Sequence, residues 1–225
     1  MRTTKDVLHN LRTYEAEFAK EGERLRKQNK DGLLQMILQA YYLATTFESA
    51  LTVAQIRMAH DPQALSCLTS LLQDENQPGE PGHKVLLLQS AQLLGVSAQQ
   101  LLATKPTEPT LRLQQWMHRE LAQSDATDPY FMAAIMTAFE WGVGMQYGLV
   151  YLPIMARLYP EIPPQALRFY FEHAVHDSDL KEGHPAMFLQ WFSDRITTEE
   201  ECSQFMRGLE KGAFARIKFL EQFMS

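Results

Sequence analysis

The sequence predicts an all-α protein, a bundle of about seven to eight helices. Three observations carry that reading. Apolar residues recur at three- and four-residue intervals through most of the 225 positions. No stretch keeps up the apolar–polar alternation of a strand. Capping residues and proline–glycine clusters fall mainly between the periodic segments. The length suits one domain over residues 1–225, with 1–30 read as a peripheral N-terminal helix.

Thr3 or Thr4 can cap a first helix that runs through Leu11, Tyr14 and Phe18. From Asp31 to Ala59, Leu33, Leu34, Ile37, Leu38, Tyr41 and Tyr42 share one broad face. Asp61-Pro62 reads as a cap followed by a first-position proline, and Ala64 to Asp74 continues that helix. Asn76 to Gly82 holds two prolines and two glycines and breaks it. His83 to Leu94 is the next helix, stopped by Gly95, and Ser97 caps a short one. After a loop from Lys105 to Pro109, Leu111–Gln123 and Tyr130–Tyr159 are helical. The second of these contains Gly142, Gly144 and Pro153, so a bend or a close helix contact is expected there. Tyr159 to Pro164 is a loop. Gln165 to Asp177 and Pro185 to Ile196 are helical around an ambiguous stretch, and Thr197 or Thr198 opens a last helix reaching Phe223.

Charge and composition narrow the function. The net charge of −6 gives no basic footprint for nucleic acid. The local cluster Arg24-Leu25-Arg26-Lys27 with Lys30 reads as a solvated face. Cys67 and Cys202 match no zinc or CxxC spacing, the N-terminus is polar, and no run reaches a membrane span. A reduced, cytoplasmic protein with no membrane contact is expected.

The chemistry concentrates in FYFEHAVHDSDLKEGHPAMFLQW, residues 169–191, which holds His173, His176 and His184 with Asp177 and Asp179. On a helix His173, Asp177 and His184 share a stripe, but a straight helix sets Asp177 and His184 about 10 Å apart along its axis. An interruption near Asp179, Gly183 and Pro185 would bring His184 back. Glu140 is the only charge in the apolar run from Phe131 to Met145, where a carboxylate without a cation is costly. Glu75 and His83 flank the proline–glycine break. Glu75, His83, Glu140, His173, Asp177 and His184 make three carboxylates and three imidazoles. Such a set suits two iron or manganese ions with positions left open for oxygen, and it lacks the thiolates of structural zinc. The four-helix di-iron bundle needs two Glu-x-x-His repeats, and the one present, Glu80 to His83, spans Pro81 and Gly82.

Leu72-Gln73-Asp74-Glu75 leading to Gly82-His83, then Ala138-Phe139-Glu140, then Glu172-His173-Ala174-Val175-His176-Asp177 resemble the ligand pattern of the haem-oxygenase-like di-iron oxidases and oxygenases. The resemblance covers Asp31 to Trp191. It implies a helical bundle around a central cavity, two iron ions (with manganese as the alternative for one), O2 as co-substrate and a small-molecule substrate. A homodimer is compatible with it. In that family the last histidine follows the aspartate by three residues. Here Leu180 stands there and His184 comes seven after, which places an insertion within Ser178–Gly183 and leaves His176 and Asp179 as alternative ligands. The chlamydial relative that makes para-aminobenzoate from its own tyrosine is associated with a lysine on the helix after the second Glu, and Trp141–Tyr159 contains none. Tyr41, Phe47, Met136, Phe139, Met145 and Phe169 are candidates to face the cavity. Two other classes compete: a metal-independent enzyme of the thiaminase or pyrroloquinoline-quinone synthase type, and a non-catalytic helical interaction protein. The first needs a polar or cysteine-based pocket for which Cys67 and Cys202 lack context.

Overall fold

The computed structural model describes residues 4–75, 81–123 and 129–224. It is helical throughout, with no strand among the described residues. The helices are α1 (Thr4–Leu25), α2 (Lys30–Arg57), α3 (Pro62–Glu75), α4 (His83–Leu93), α5 (Ala98–Ala103), α6 (Glu108–Gln123), α7 (Pro129–Gln146), α8 (Leu152–Leu158), α9 (Pro164–His176), α10 (His184–Arg195) and α11 (Glu199–Glu221). A π-helical segment, Tyr147–Tyr151, joins α7 to α8.

The helix starts follow local chemistry. Asn29, ahead of the expected Asp31, caps α2 by accepting the Gly32 amide at 2.8 Å. Asp61 accepts the amides of Gln63 and Ala64, each at 3.0 Å, to open α3. Ser97 with Gln100, and Thr198 with Glu201, form reciprocal capping boxes for α5 and α11. α6 begins at Glu108, inside the stretch expected to be loop, because Pro109 falls in a first turn where its missing N–H leaves nothing unpaired.

The periodic stretch from residue 130 to 159 is not one α-helix but α7 and α8 joined by the π segment, which adds one helix to the stretches read from the sequence. Pro153 has no amide, and its ring would crowd the carbonyl four residues back, within the π segment. Widening the turn there keeps the chain continuous. Residues 76–80 of the expected break lie outside the described residues, and with them Glu80; α3 nonetheless ends at Glu75 and α4 begins at His83.

α7 is the axis of the bundle. Every residue from Phe131 to Gly142 is buried, Glu140 included. It packs most extensively against α11 and also against α10, α9 and α1, while α2 lies against α3, α4 and α6. The first helix contributes Val7, Leu11, Phe18 and Leu25, all fully buried, to the common core. The basic cluster beside it is satisfied locally: Arg24 pairs with Glu21 at 3.0 Å and Arg26 with Glu23 at 2.8 Å, and Lys30 lies over the Tyr159 ring. No helix among the described residues is long and apolar enough to cross a membrane.

Candidate metal centre

Helix ends place the first donor group. Glu75 is the last residue of α3 and His83 the first of α4, so the break between them sets the two side chains face to face, with His83 Nδ1 3.2 Å from Glu75 Oε1. His173 enters from α9. Its Nδ1 donates to the Phe169 carbonyl at 2.7 Å, which fixes the tautomer and leaves Nε2 as the free lone pair. The His83 and His173 rings lie 4.4 Å apart. Each of Glu75, His83 and His173 offers a ligand atom within 4.8 Å of the others.

The second group depends on the irregular stretch. α9 stops at His176, and the chain turns so that His184 opens α10. Asp179 shapes this loop: its Oδ1 accepts the Lys181 amide at 2.8 Å, and its carbonyl accepts the Gly183 amide at 3.0 Å. Gly183 passes so close to the His176 carbonyl that any Cβ would collide with it. The result overcomes the axial separation of a straight helix. His184 Nδ1 lies 3.0 Å from Asp177 Oδ1 and 3.2 Å from Glu140 Oε2. His184 Nε2 lies 3.0 Å from Asp74 Oδ2. His176, Asp177 and His184 form a second group with ligand atoms within 4.8 Å of one another.

The six expected residues therefore converge, Glu140 joining the second group through His184. His176 comes alongside, half exposed, its ring 4.4 Å from that of His184. Asp179 does not: its carboxylate is turned to backbone amides of its own loop. Gly144 on α7 makes the convergence sterically possible, since a Cβ there would sit 2.5 Å from the Ser178 nitrogen and 2.8 Å from the Asp177 carbonyl carbon.

Burial and charge perturb these groups strongly. Burial is the largest influence on Glu140 and raises its pKa to about 7, against the pull of His184. Burial would raise Asp177 too, but His173, His176 and His184 outweigh it and bring it down to about 2. Burial alone would lower His184. Hydrogen bonds and charge from Asp177 and Glu140 instead raise it to about 11, so without a metal it is an imidazolium held among carboxylates. His83 is raised against burial by Glu75, whereas burial prevails at His173 and lowers it.

Two observations bear on whether a metal fits. Asp177 Oδ2 is buried with no hydrogen-bond partner, and the buried His83 Nδ1 approaches Glu75 without being aligned to bond it. Side chains that point at a common place without satisfying one another are what co-ligands of an ion look like before it binds. The donors are nitrogen and carboxylate oxygen with no sulfur, a set suited to iron or manganese.

The cluster stands between two cavities. A cleft of about 490 Å³ is lined by Asp74, Leu86, Arg168, Phe171 and Val175 together with the histidines. A small inner cavity of about 40 Å³ is lined by Leu43, Phe47, Val143, Tyr147, Phe169 and Arg216. His83, His173 and Asp177 line both. Of the side chains expected to face the cavity, Phe47 and Phe169 do so. Phe139 stacks on Trp116 and Met136 lines a separate small void. Two residues escaped the sequence reading. Asp74 adjoins Glu75, and only the loop that returns His184 gives it a role. Arg216 follows Phe205, Leu209 and Gly212 in the buried register of α11, and a lone charge at such a position was the signal.

Architecture and site together define a haem-oxygenase-like helical protein. A domain of unknown function with that fold from Shewanella denitrificans OS217 superposes with a TM-score of 0.76 at 14% identity, covering 99% of this chain and 92% of the other. A CADD-like protein of unknown function from Nostoc punctiforme PCC 73102 gives 0.73 at 15% identity over 98% and 94%. A TenA homologue from Pseudomonas syringae pv. tomato DC3000 gives 0.71 at 11% identity over 97% and 91%. Within that class the chain belongs to the family described as iron-containing redox enzyme, which it matches over residues 34–216. No curated protein matches it.

Proposed function

We propose that the protein is a non-haem di-iron oxidase or oxygenase, with manganese as the alternative for one ion, that uses O2 to oxidise or cleave a small organic substrate. The observation that carries this reading is the pair of donor groups packed side by side in an otherwise apolar interior. Glu75, His83 and His173 would hold one ion. Asp177 and His184 would hold the other, with Glu140 beside them and His176 at the cleft side. Bound ferrous ions supply the electrons and the open coordination positions that O2 reduction requires.

The chain's own residues do the rest. The Phe169 carbonyl holds the His173 ring in one orientation. Asp74 accepts from His184 Nε2, which orients the ring and leaves Nδ1, the nitrogen facing Asp177 and Glu140, to meet an ion. Leu86, Phe169 and the apolar wall of the inner cavity limit water around the donors. The cleft, open on the side of Phe171 and Val175, leaves a path for substrate.

A metal-independent reaction of the TenA type gains nothing from the cysteines. Cys202 is buried in the core and Cys67 points to the Met187 carbonyl, and neither lines the cleft or the inner cavity.

Anaerobic ferrous loading tests the reading. About two irons per chain and a transient visible absorption on adding O2 are expected. Glu140→Ala should abolish loading of the pair while the far-ultraviolet helical signal stays unchanged. A wild-type chain that takes up no iron sinks the proposal.

A further inference from the structure

Helices α3, α7 and α10, which carry Glu75, Glu140 and His184, enclose with α2 a void separate from the cleft and the inner cavity. Met58, Leu68, Met132, Ala133, Met136 and Phe188 form most of its wall, and no wall residue is more than 4% exposed. No polar atom faces it. A sphere the size of a water molecule can shift its centre through about 10 Å³ there. One such sphere standing still already fills roughly 10–15 Å³. The space is therefore several times larger than a single water.

Protein interiors keep few voids of that size, because each forfeits packing contacts along its wall. Three wall residues here are methionines, whose flexible, unbranched chains are suited to closing irregular gaps. They border this one without filling it. Water does not compensate, since inside it would find none of the two to four polar partners that hold a buried water. The occupant such a space suits is small and apolar, with no hydrogen bonds to lose on leaving water. The position of the void is specific as well. Met136 stands one turn before Glu140 on α7, and Phe188 one turn after His184 on α10, about 6 Å along each axis.

We propose that this void is a binding site for molecular oxygen, held inside the bundle one helical turn from Glu140 and His184. O2 is diatomic and apolar, and it fits the size and the dryness of the space. That the gas held there supplies a metal centre rests on the di-iron reading. That the void takes it up rests on the void itself.

The test uses the metal-free, full-length chain with isotope-labelled methionine methyl groups. O2 is paramagnetic, so it speeds the NMR relaxation of methyls beside it. Under O2 pressure, compared with N2, the enhancement at Met132 and Met136 should be at least threefold that at Met36 and Met155. Those two are as deeply buried but do not border the void. Ala133→Leu, which puts a larger side chain into the space, should bring Met132 and Met136 down to the level of the other two. Equal enhancement at all four in the wild type, or an undiminished contrast in Ala133→Leu, overturns the proposal. Should Ala133→Leu fail to fold by circular dichroism, xenon added to the wild type decides. It should compete for the void and cut the contrast at least twofold, and a contrast it leaves untouched refutes the site. In the ferrous-loaded chain, Ala133→Leu should slow the rise of the transient absorption at least threefold at equal iron content, and an unslowed rise overturns the supply role. A wild type that takes up no iron defeats the di-iron reading alone, since the methyl contrast is measured without metal.

Discussion

Glu140 is a carboxylate inside the most apolar helix of the described residues, and its direct polar partner among them is the His184 imidazole from another helix. The proton shared around His184 shows what metal must displace. His184 rises from its ordinary 6.5 to about 11, so the stability it adds to the metal-free fold is complete below 6.5 and fades as pH climbs towards 11. Glu140, raised from 4.5 to about 7, likewise favours the folded chain less as pH climbs through that interval. Asp177 has the opposite sign: its contribution is present above 3.8 and is lost as pH falls towards 2. Metal competes with the protons on His184 and Glu140, so ferrous affinity should increase from pH 6 to pH 8, measured by anaerobic titration. A flat profile would mean that those two groups are not ligands. His184→Ala should leave the first group intact and bring loading from about two irons to about one per chain, counted by metal analysis.

At the scale of elements, caps and interruptions decide what the apolar pattern leaves open. The Thr198–Glu201 box anchors the helix that carries Arg216 and packs along α7. Thr198→Ala should cost about 1 kcal/mol in urea unfolding. Backbone and side-chain hydrogen bonds from Thr197 and Thr198 hold the Glu201 carboxyl at about 2, below its usual 4.5. Its contribution is therefore present above 4.5 and lost as pH falls through about 2, and Glu201→Gln should flatten the acid limb of the stability profile. The π segment and the Ser178–Gly183 loop are irregular elements of the site region among the described residues. One places Tyr147 at the inner cavity and the other returns His184 to Asp177.

For the whole molecule, stability and function share one interface. In the α7–α11 contact Gly208 and Gly212 meet Phe131, Ala134, Ile135 and Ala138, and Phe205 and Leu209 of α11 are fully buried. Leu209→Ala should destabilise by about 2–5 kcal/mol through the cavity it leaves, whereas Phe214→Ala, at an exposed position of the same helix, should change stability little. Urea denaturation of both variants checks this. Arg216 lies on the same helix and lines the inner cavity, so repacking of α11 around Leu209→Ala would reach that cavity.

The sequence by itself determined the helical class and most helix starts, and it singled out six side chains that the fold brings near one another. Caps, apolar periodicity and a lone buried carboxylate are local signals, readable wherever a few neighbouring residues suffice. It also showed that a straight helix could not join Asp177 to His184. Only the tertiary structure decided how the chain solves that problem, because the turn through Asp179 and Gly183 depends on backbone hydrogen bonds and on clearances to α7 at Gly144. The same holds for which alternative donors belong to the cluster, with His176 beside it and Asp179 spent on the loop. Asp74 and Arg216 gain meaning from packing partners more than a hundred or about seventy residues away in the chain, and proximity across such separations is a property of the folded bundle.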